Sequence, residues 1–166
     1  MIPISTPFPW FGGKARAAEL IWPRFGDIGN YSEPFAGSLA VLMRRPTPPG
    51  NEIVNDLNAY VANAWRAMQK APLEVATHAD WPVNEADLHA RHLWLVQRAE
   101  FRERMLTDPD YFDAKIAGWW IWGCSLWIGG GFCDVARVEP AKQVPHLTGD
   151  QGVTRKVNPS ELGSRR

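Results

Sequence analysis

Three short segments in the first third of the chain place charged side chains close to glycines. Lys14 follows two glycines, Glu33 comes shortly before Gly37, and Asp56 follows about 20 residues later. Glycines let the backbone approach a ligand closely, and a lysine can bind a carboxylate or phosphate. An acid at the end of a second strand can accept hydrogen bonds from ribose hydroxyls. The pattern favours a small, charged, nucleoside-containing ligand.

Each signal also has an ordinary structural explanation when it is taken alone. Gly37 could be a simple turn glycine, and Glu33 and Lys14 could be solvated surface charges. Asp56 or Asn55 could be the N-cap of the helix that follows. The order strand, glycine turn, helix, strand, acid favours the ligand interpretation over these alternatives.

Aromatic residues precede the first glycines. Trp10 and Phe11 could stack on a purine ring, or they could be core aromatics. Gly12 and Gly13 allow a turn that would direct Lys14 inward. The opening segment could therefore form a third part of the same ligand site.

The elements predicted around these residues follow the order of an α/β fold. Apolar residues recur at helical spacing after the second strand. Prolines exclude a helix from the opening arm, and strand–helix–strand order is typical of a doubly wound sheet. The predicted elements are an arm at 1–14, a helix at 15–22 stopped by Pro23, a strand at 30–35, a helix at 36–45, a strand at 51–56 and a helix at 57–71.

The second half of the chain predicts helices rather than further strands. An amphipathic helix is expected at 84–106, and a Trp-rich apolar helix at 110–128. Two strands do not form a stable parallel sheet on their own, so the small number of predicted strands needs an explanation. We expect three parts: an α/β part at 1–72, a helical part at 73–132 and a polar tail at 133–166.

Three segments in this order resemble one family. "PFPWFGGKARAAELIWPRF", "YSEPFAGSLAVL" and "EIVNDLNAYVANAWRAMQKAP" resemble the amino-terminal part of Dam-like, phage-type DNA adenine N6-methyltransferases. The resemblance implies a truncated, Rossmann-like, S-adenosylmethionine-dependent methyltransferase fold with a helical, Trp-rich second half. It implies DNA as a partner. It also implies a role for each candidate residue around S-adenosylmethionine. Trp10 would pack near the adenosine, Asp56 would hold the ribose, and Lys14 would approach the methionine end. The first loop would contain Gly12 and Gly13, and the wall beside the methionine end would contain Glu33, Phe35 and Gly37.

The family's catalytic residues lie in a later Asp-Pro-Pro-Tyr motif, which binds a flipped adenine. The segment Asp108-Pro109-Asp110-Tyr111 differs at the second proline and follows an amphipathic helix rather than a buried strand. We interpret it as a helix-to-helix joint, with Asp108 as N-cap and Pro109 at the first helical position. We therefore predict no catalytic residue and expect the chain to stop before the catalytic motif, which leaves its activity open.

Composition narrows the possible partners and locations. The formal net charge is +0, so a nucleic-acid contact needs a local basic patch. Lys142, Arg155 and Lys156 in the tail are candidates for phosphate contacts, unless the tail is simply solvated. Cys124 and Cys133 are expected to be reduced, without a metal. With neither a signal peptide nor an apolar run of about 20 residues, we expect a bacterial or phage-infected cytoplasm.

Tryptophans are concentrated between Trp119 and Phe132. An exposed apolar surface there would mark contact with a second copy or a partner chain. Core or interface packing is favoured over stacking on nucleic-acid bases.

Three hypotheses follow. The chain is part of an adenine N6-methyltransferase, either a fragment or one half of a split enzyme. Alternatively, it is an inactive remnant that binds or inhibits, for example a phage protein that blocks a host nucleic-acid defence complex. The third hypothesis is a helical scaffold whose motifs are relics.

Overall fold

The computed structural model describes residues 5–48, 50–128 and 132–133. All of them belong to a compact unit that spans residues 1–134. The predicted tail lies almost entirely outside the described residues, and the predicted part boundaries at 72 and 132 stay predictions.

The first half of this unit contains a helix and two parallel strands. Helix α1 is Ala15–Phe25, strand β1 is Asn30–Glu33 and strand β2 is Asn51–Val54. The strands pair in parallel from Asn30 opposite Asn51 to Glu33 opposite Val54. Their carboxyl ends therefore meet at one edge. A mixed fold with a small parallel sheet is confirmed, and the described residues form two strands only.

The helix predicted at 36–45 is wrong. Gly37 and Leu39 have positive φ angles of 49° and 53°, which a right-handed helix excludes. The backbone N–H of Ala36 bonds to the carbonyl of Asn55 at 2.9 Å, which ties the segment to the end of β2. Only a short 3-10 turn forms, at Leu42–Arg44.

The prediction that Pro23 ends the first helix is also wrong. A proline in the last turn removes a single intrahelical hydrogen bond, so α1 continues to Phe25. Gly26, with a φ angle of 67°, then ends the helix.

Five helices follow β2 in the part of the chain that the structure describes. The single helix predicted at 84–106 is two helices, the helix predicted at 110–128 begins only at Ala114, and the helix at Pro72–Ala79 was not predicted. The helices are α2 at Ala59–Lys70, α3 at Pro72–Ala79, α4 at Glu85–Val96, α5 at Ala99–Thr107 and α6 at Ala114–Leu126.

Two predicted N-caps are corrected. Asn58, not Asp56 or Asn55, caps α2, since its side chain accepts hydrogen bonds from the backbone N–H groups of the first turn. Asp113, not Asp108, caps α6 by accepting from the N–H of Ile116 at 2.8 Å. Asp108 instead ends α5.

The core is built around α6. Trp120 is fully buried there, and α6 packs against α2, α3 and α4. A Cβ at Gly118 would lie 2.6 Å from the carbonyl oxygen of Val75, so glycine permits the close approach of α3. Buried Asn63 on α2 exchanges hydrogen bonds with the backbone of Asp113, at 2.9 and 2.7 Å. These bonds fix α2 against the start of α6.

Within the Trp-rich segment, Trp120 and Trp122 are buried, whereas Ile128 is 97% exposed. Phe35, Ile53 and Leu57, near the strand ends, are also exposed. A partner contact through Trp119–Phe132 stays a prediction, because residues 129–131 lie outside the described part. No helix among the described residues is long and apolar enough to cross a membrane.

Candidate functional site

A cavity of about 180 Å³ lies beside the carboxyl end of β1. Six of the eight residues predicted to bind a cofactor line it, and they come from two separate segments of the chain. Phe11, Ala36, Ser38 and Ala40 complete the wall. The six are Trp10, Gly12, Gly13, Lys14, Glu33 and Phe35, whereas Gly37 and Asp56 do not line the cavity.

Glu33 and Lys14 form the charged wall of this cavity. Nζ of Lys14 lies 3.3 Å from Oε1 of Glu33 and donates to the carbonyl of Phe35 at 2.9 Å. The Tyr31 hydroxyl donates to Oε2 of Glu33 at 3.2 Å. The Glu33 side chain is only 5% exposed, whereas that of Lys14 is 43% exposed. The cavity therefore combines a held carboxylate with a solvent-accessible ammonium group.

The pKa of Tyr31 is raised, first by burial and then by the negative charge of Glu33. The phenol therefore stays protonated and continues to donate to the carboxylate at neutral pH. Sequence reasoning missed this residue. Residues two apart on a strand share a face, so the sequence already indicated that the side chains of Tyr31 and Glu33 lie next to each other.

Trp10 connects the cavity to the helical core. Its ring packs edge-to-face on Phe8, with centroids 6.3 Å apart, and tilted on Trp120 at 5.9 Å. A Cβ at Gly37 would collide with Cδ1 of Trp10, so the indole lies directly against this glycine. The backbone carbonyl of Trp10 accepts a hydrogen bond from the N–H of Gly13 at 2.9 Å, which closes the first turn. Trp10 is therefore both a packed aromatic and part of the cavity wall.

Asp56 holds the loop after β1. Its Oδ2 accepts the N–H of Gly37 at 2.8 Å, and its Oδ1 accepts the N–H of Asn58 at 2.9 Å. The carbonyl of Gly37 accepts from Nε1 of Trp65 on α2 at 2.9 Å. The backbone N–H and carbonyl of Gly37 are therefore both bonded within the protein. Each carboxylate oxygen of Asp56 keeps a further lone pair for a hydroxyl donor.

The candidate phosphate-binding residues Lys142, Arg155 and Lys156 lie outside the described residues. Cys124 and Cys133 are free thiols, and burial raises the pKa of Cys124 to about 12. In the described part of the chain, no group of three His, Cys, Asp or Glu side chains could hold a metal ion.

A family model described as D12 class N6 adenine-specific DNA methyltransferase matches residues 10–111. The chain belongs to this family. The match contains the whole cavity wall, both strands and helices α1 to α5. The match confirms the predicted family. D12 methyltransferases generally use S-adenosylmethionine, and DNA is their substrate. No curated protein and no solved structure matches the chain significantly.

Proposed function

We propose that this D12 chain supplies the S-adenosylmethionine-binding part of an adenine N6-methyltransferase. One observation carries the proposal: segments 10–14 and 33–36 converge on one cavity that presents Lys14 and Glu33. A helical scaffold with relic motifs would not need a half-exposed lysine over a buried carboxylate.

The cavity suits the amino-acid end of the cofactor. Its volume of about 180 Å³ is below the roughly 300 Å³ at which ligand pockets usually begin, so it would hold one end only. Lys14 would bind the cofactor carboxylate and Glu33 its ammonium group, which are complementary charges. Bound cofactor supplies an electrophilic methyl group carried on a sulfonium sulfur.

Asp56 and Trp10 would hold the nucleoside end. The carboxylate of Asp56 is half-buried and fixed by two backbone N–H groups, so its remaining lone pairs are directed before a ribose arrives. Trp10 would pack near the adenosine. The backbone around the ligand would be formed by the remaining candidates, Gly12, Gly13, Phe35 and Gly37.

A catalytic motif would have to come from another polypeptide segment. The 166 residues contain no Asp-Pro-Pro-Tyr sequence. Around Asp108 the chain makes a turn in which the N–H of Asp110 bonds to Oδ1 of Asp108 at 3.1 Å. The ring of Tyr111 lies against the guanidinium of Arg104, at 3.9 Å. This joint between helices supports our rejection of the segment as a catalytic motif.

The small size of the sheet supports the inference that a further polypeptide segment completes it. Both strands have four residues, and every residue of β2 is exposed, including Ile53. A longer protein or a second chain would complete the sheet and add the catalytic strand. Contact of Lys142, Arg155 and Lys156 with DNA phosphates belongs to the same proposal.

An inactive binding or inhibitory protein is the second candidate. It is favoured by the missing Asp-Pro-Pro-Tyr sequence, which leaves no described group to hold a target amine. The two candidates differ in what they require of the cavity, because only the first needs it to bind the cofactor.

Calorimetric titration with two ligands tests the proposal. S-adenosylmethionine should bind the unmodified chain, and Lys14→Ala should weaken binding by about tenfold, the effect of one lost charge-assisted hydrogen bond. Methylthioadenosine, which lacks the amino-acid end, should be insensitive to Lys14→Ala. Asp56→Asn should weaken both ligands similarly, because both carry the ribose.

Arg16→Ala is the matched control, since Arg16 is an exposed cation two residues from Lys14 on the same segment. It should leave both titrations unchanged. Absence of S-adenosylmethionine binding by a folded sample would reject the first candidate and favour the second. Equal weakening of both ligands by Lys14→Ala would remove Lys14 from the amino-acid end.

A further inference from the structure

A second cavity lies among α3, α4 and α6. Its volume is about 560 Å³, within the usual range for small-molecule sites. It shares no lining residue with the cavity beside β1. Tryptophan side chains and two cations dominate the wall, which includes Trp81, Asp87, Arg91, Trp94, Lys115 and Trp119.

Arg91 is the unusual residue of this wall. Only 6% of it is exposed, and its guanidinium lies 4.7 Å from the ring centres of Trp81 and Trp119 and 4.5 Å from that of Trp122. Indole faces attract the cation but do not accept its N–H groups as an oxygen would. Among the described residues, Nη1 of Arg91 has no hydrogen-bond partner.

The acid in this cavity acts on Arg91 only from a distance: burial lowers the pKa of Arg91, and the negative charge of Asp87 partly opposes this. Oδ2 of Asp87 accepts hydrogen bonds from Nε1 of Trp81 at 2.6 Å and from Asn84 at 2.7 Å. No ion pair joins Asp87 to Arg91 in the described part of the chain. A buried N–H group without an acceptor, such as that of Nη1, carries a desolvation cost, which a bound anion would offset.

Lys115 adds a second cation at the same wall. Its Nζ lies 4.5 Å from the ring centre of Trp119 and 4.9 Å from that of Trp94. Trp81 is 49% exposed, so an aromatic surface remains open to solvent beside the buried guanidinium. The wall thus offers flat apolar rings together with free N–H donors.

We propose that this second cavity binds a nucleotide, either free or as one unit of a single strand. The base packs against the indole rings of the wall, which accept any base because every base has a flat π surface. The phosphate oxygens accept hydrogen bonds from Lys115 and from the unpartnered edge of Arg91. A planar ring joined to an anion uses both features of the wall.

Thymidine 5′-monophosphate is the probe of choice, because it lacks the adenosine and amino-acid groups that the first cavity would take. Calorimetry on the full chain should detect its binding with and without saturating S-adenosylmethionine. Lys115→Gln and Trp81→Leu should each weaken binding by about tenfold. Both side chains are exposed, so the variants should fold, which circular dichroism would verify.

Lys70→Gln is the matched control, as Lys70 is exposed on α2 and does not line the cavity. It should bind as the unmodified chain does. An oligothymidine of ten residues distinguishes the sources: tighter binding than the mononucleotide indicates a strand, and equal binding per site indicates a free nucleotide.

Three results would overturn the proposal. The first is that neither thymidine ligand binds. The second is that Lys70→Gln weakens nucleotide binding as much as Lys115→Gln does, and the third is that inorganic phosphate binds as tightly as the nucleotide. Each of them leaves the cofactor cavity untested, so this proposal and the proposed function fail separately.

Discussion

The buried carboxylate of Glu33 has a donor at each oxygen, Nζ of Lys14 and the hydroxyl of Tyr31. An unpaired buried charge would cost several kcal/mol, so these two residues are what permits an acid at this position. Lys14 is the exposed member of the group. A ligand carboxylate could reach Lys14 while Tyr31 continues to hold Glu33.

Two glycines with positive φ angles provide a test at the residue scale. Gly12→Ala introduces backbone strain alone, since no atom lies within 4 Å of the added Cβ. We expect it to lower the free energy of unfolding by about 1–2 kcal/mol. Gly37→Ala has the same strain and also collides with the ring of Trp10, and should cost about 1–3 kcal/mol more.

Urea denaturation of both variants measures the difference. Equal destabilisation would mean that Trp10 moves away from Gly37 freely. The indole would then not be a fixed wall of the cavity, and its proposed role beside the adenosine would lose support.

Side-chain caps decide where several helices begin. Asn58, Asn84 and Asp113 each accept a backbone N–H from the first turn of α2, α4 and α6. Such caps satisfy donors that the helix itself leaves unpaired. The cap at Asp113 also places the backbone that bonds to Asn63, so one residue starts α6 and joins it to α2.

The start of α6 gives a test at the element scale. Asp113→Ala removes the cap and should lower the free energy of unfolding by about 1 kcal/mol. Asp108→Ala removes an exposed ion pair with Arg104 and a local turn bond, and should cost about half as much or less. Thermal or urea denaturation of the pair checks this. A larger loss for Asp108→Ala would restore Asp108 as the helix cap.

Within the compact unit, α2 and α6 reach the loop beside the strands. Nε1 of Trp65 on α2 bonds to the carbonyl of Gly37, and Trp120 on α6 contacts Trp10 and Phe8. The cavity wall is therefore supported by the helical core as well as by the short sheet. This arrangement explains how a two-stranded sheet can hold its place in the compact unit.

Burial of weak acids predicts alkaline instability of the whole molecule. Burial raises the pKa of Cys124 to about 12, and burial together with Cys133 raises that of Tyr60 to about 12. Both groups keep their protons in the folded state at pH values where the unfolded chain has lost them. The free energy of unfolding should therefore fall as pH rises from about 9 toward 12.

We expect a loss of roughly 2–4 kcal/mol between pH 8 and pH 11. Urea denaturation at a series of pH values measures it. Cys124→Ala should flatten the profile, because it removes one of the groups responsible. A profile that stays level to pH 11 would show that these groups are accessible to water.

Local sequence was sufficient for features that depend on neighbours in the chain. The two strands lie within the segments predicted for them and α2 follows from helical spacing, and the glycines with Lys14, Glu33 and Asp56 led to the family. The cavity wall was also largely predictable, because six of the eight residues chosen from the sequence line it, although Asp56 at the end of β2 does not.

Helix breaks and loop conformations depended on distant residues. Residues 95–98 contain neither glycine nor proline, yet the helix ends there. The Tyr60 hydroxyl donates to the carbonyl of Leu95 and the Arg102 side chain donates to that of Val96, which satisfies carbonyls that the end of the helix leaves unpaired. The segment after β1 is a loop for the same kind of reason, because Asp56 and Trp65 hold the backbone of Gly37.

By itself, the sequence determined the family, the positions of α1, α2 and the two strands, and the types of residue at the first cavity. The tertiary structure alone decided that Asp56 binds Gly37, that Asn63 bonds to the backbone of Asp113 and that Arg91 lies among three indoles. The physical reason is that these contacts join residues on separate elements, and the free energy of burying a charge or a backbone N–H depends on which partners the fold brings to it.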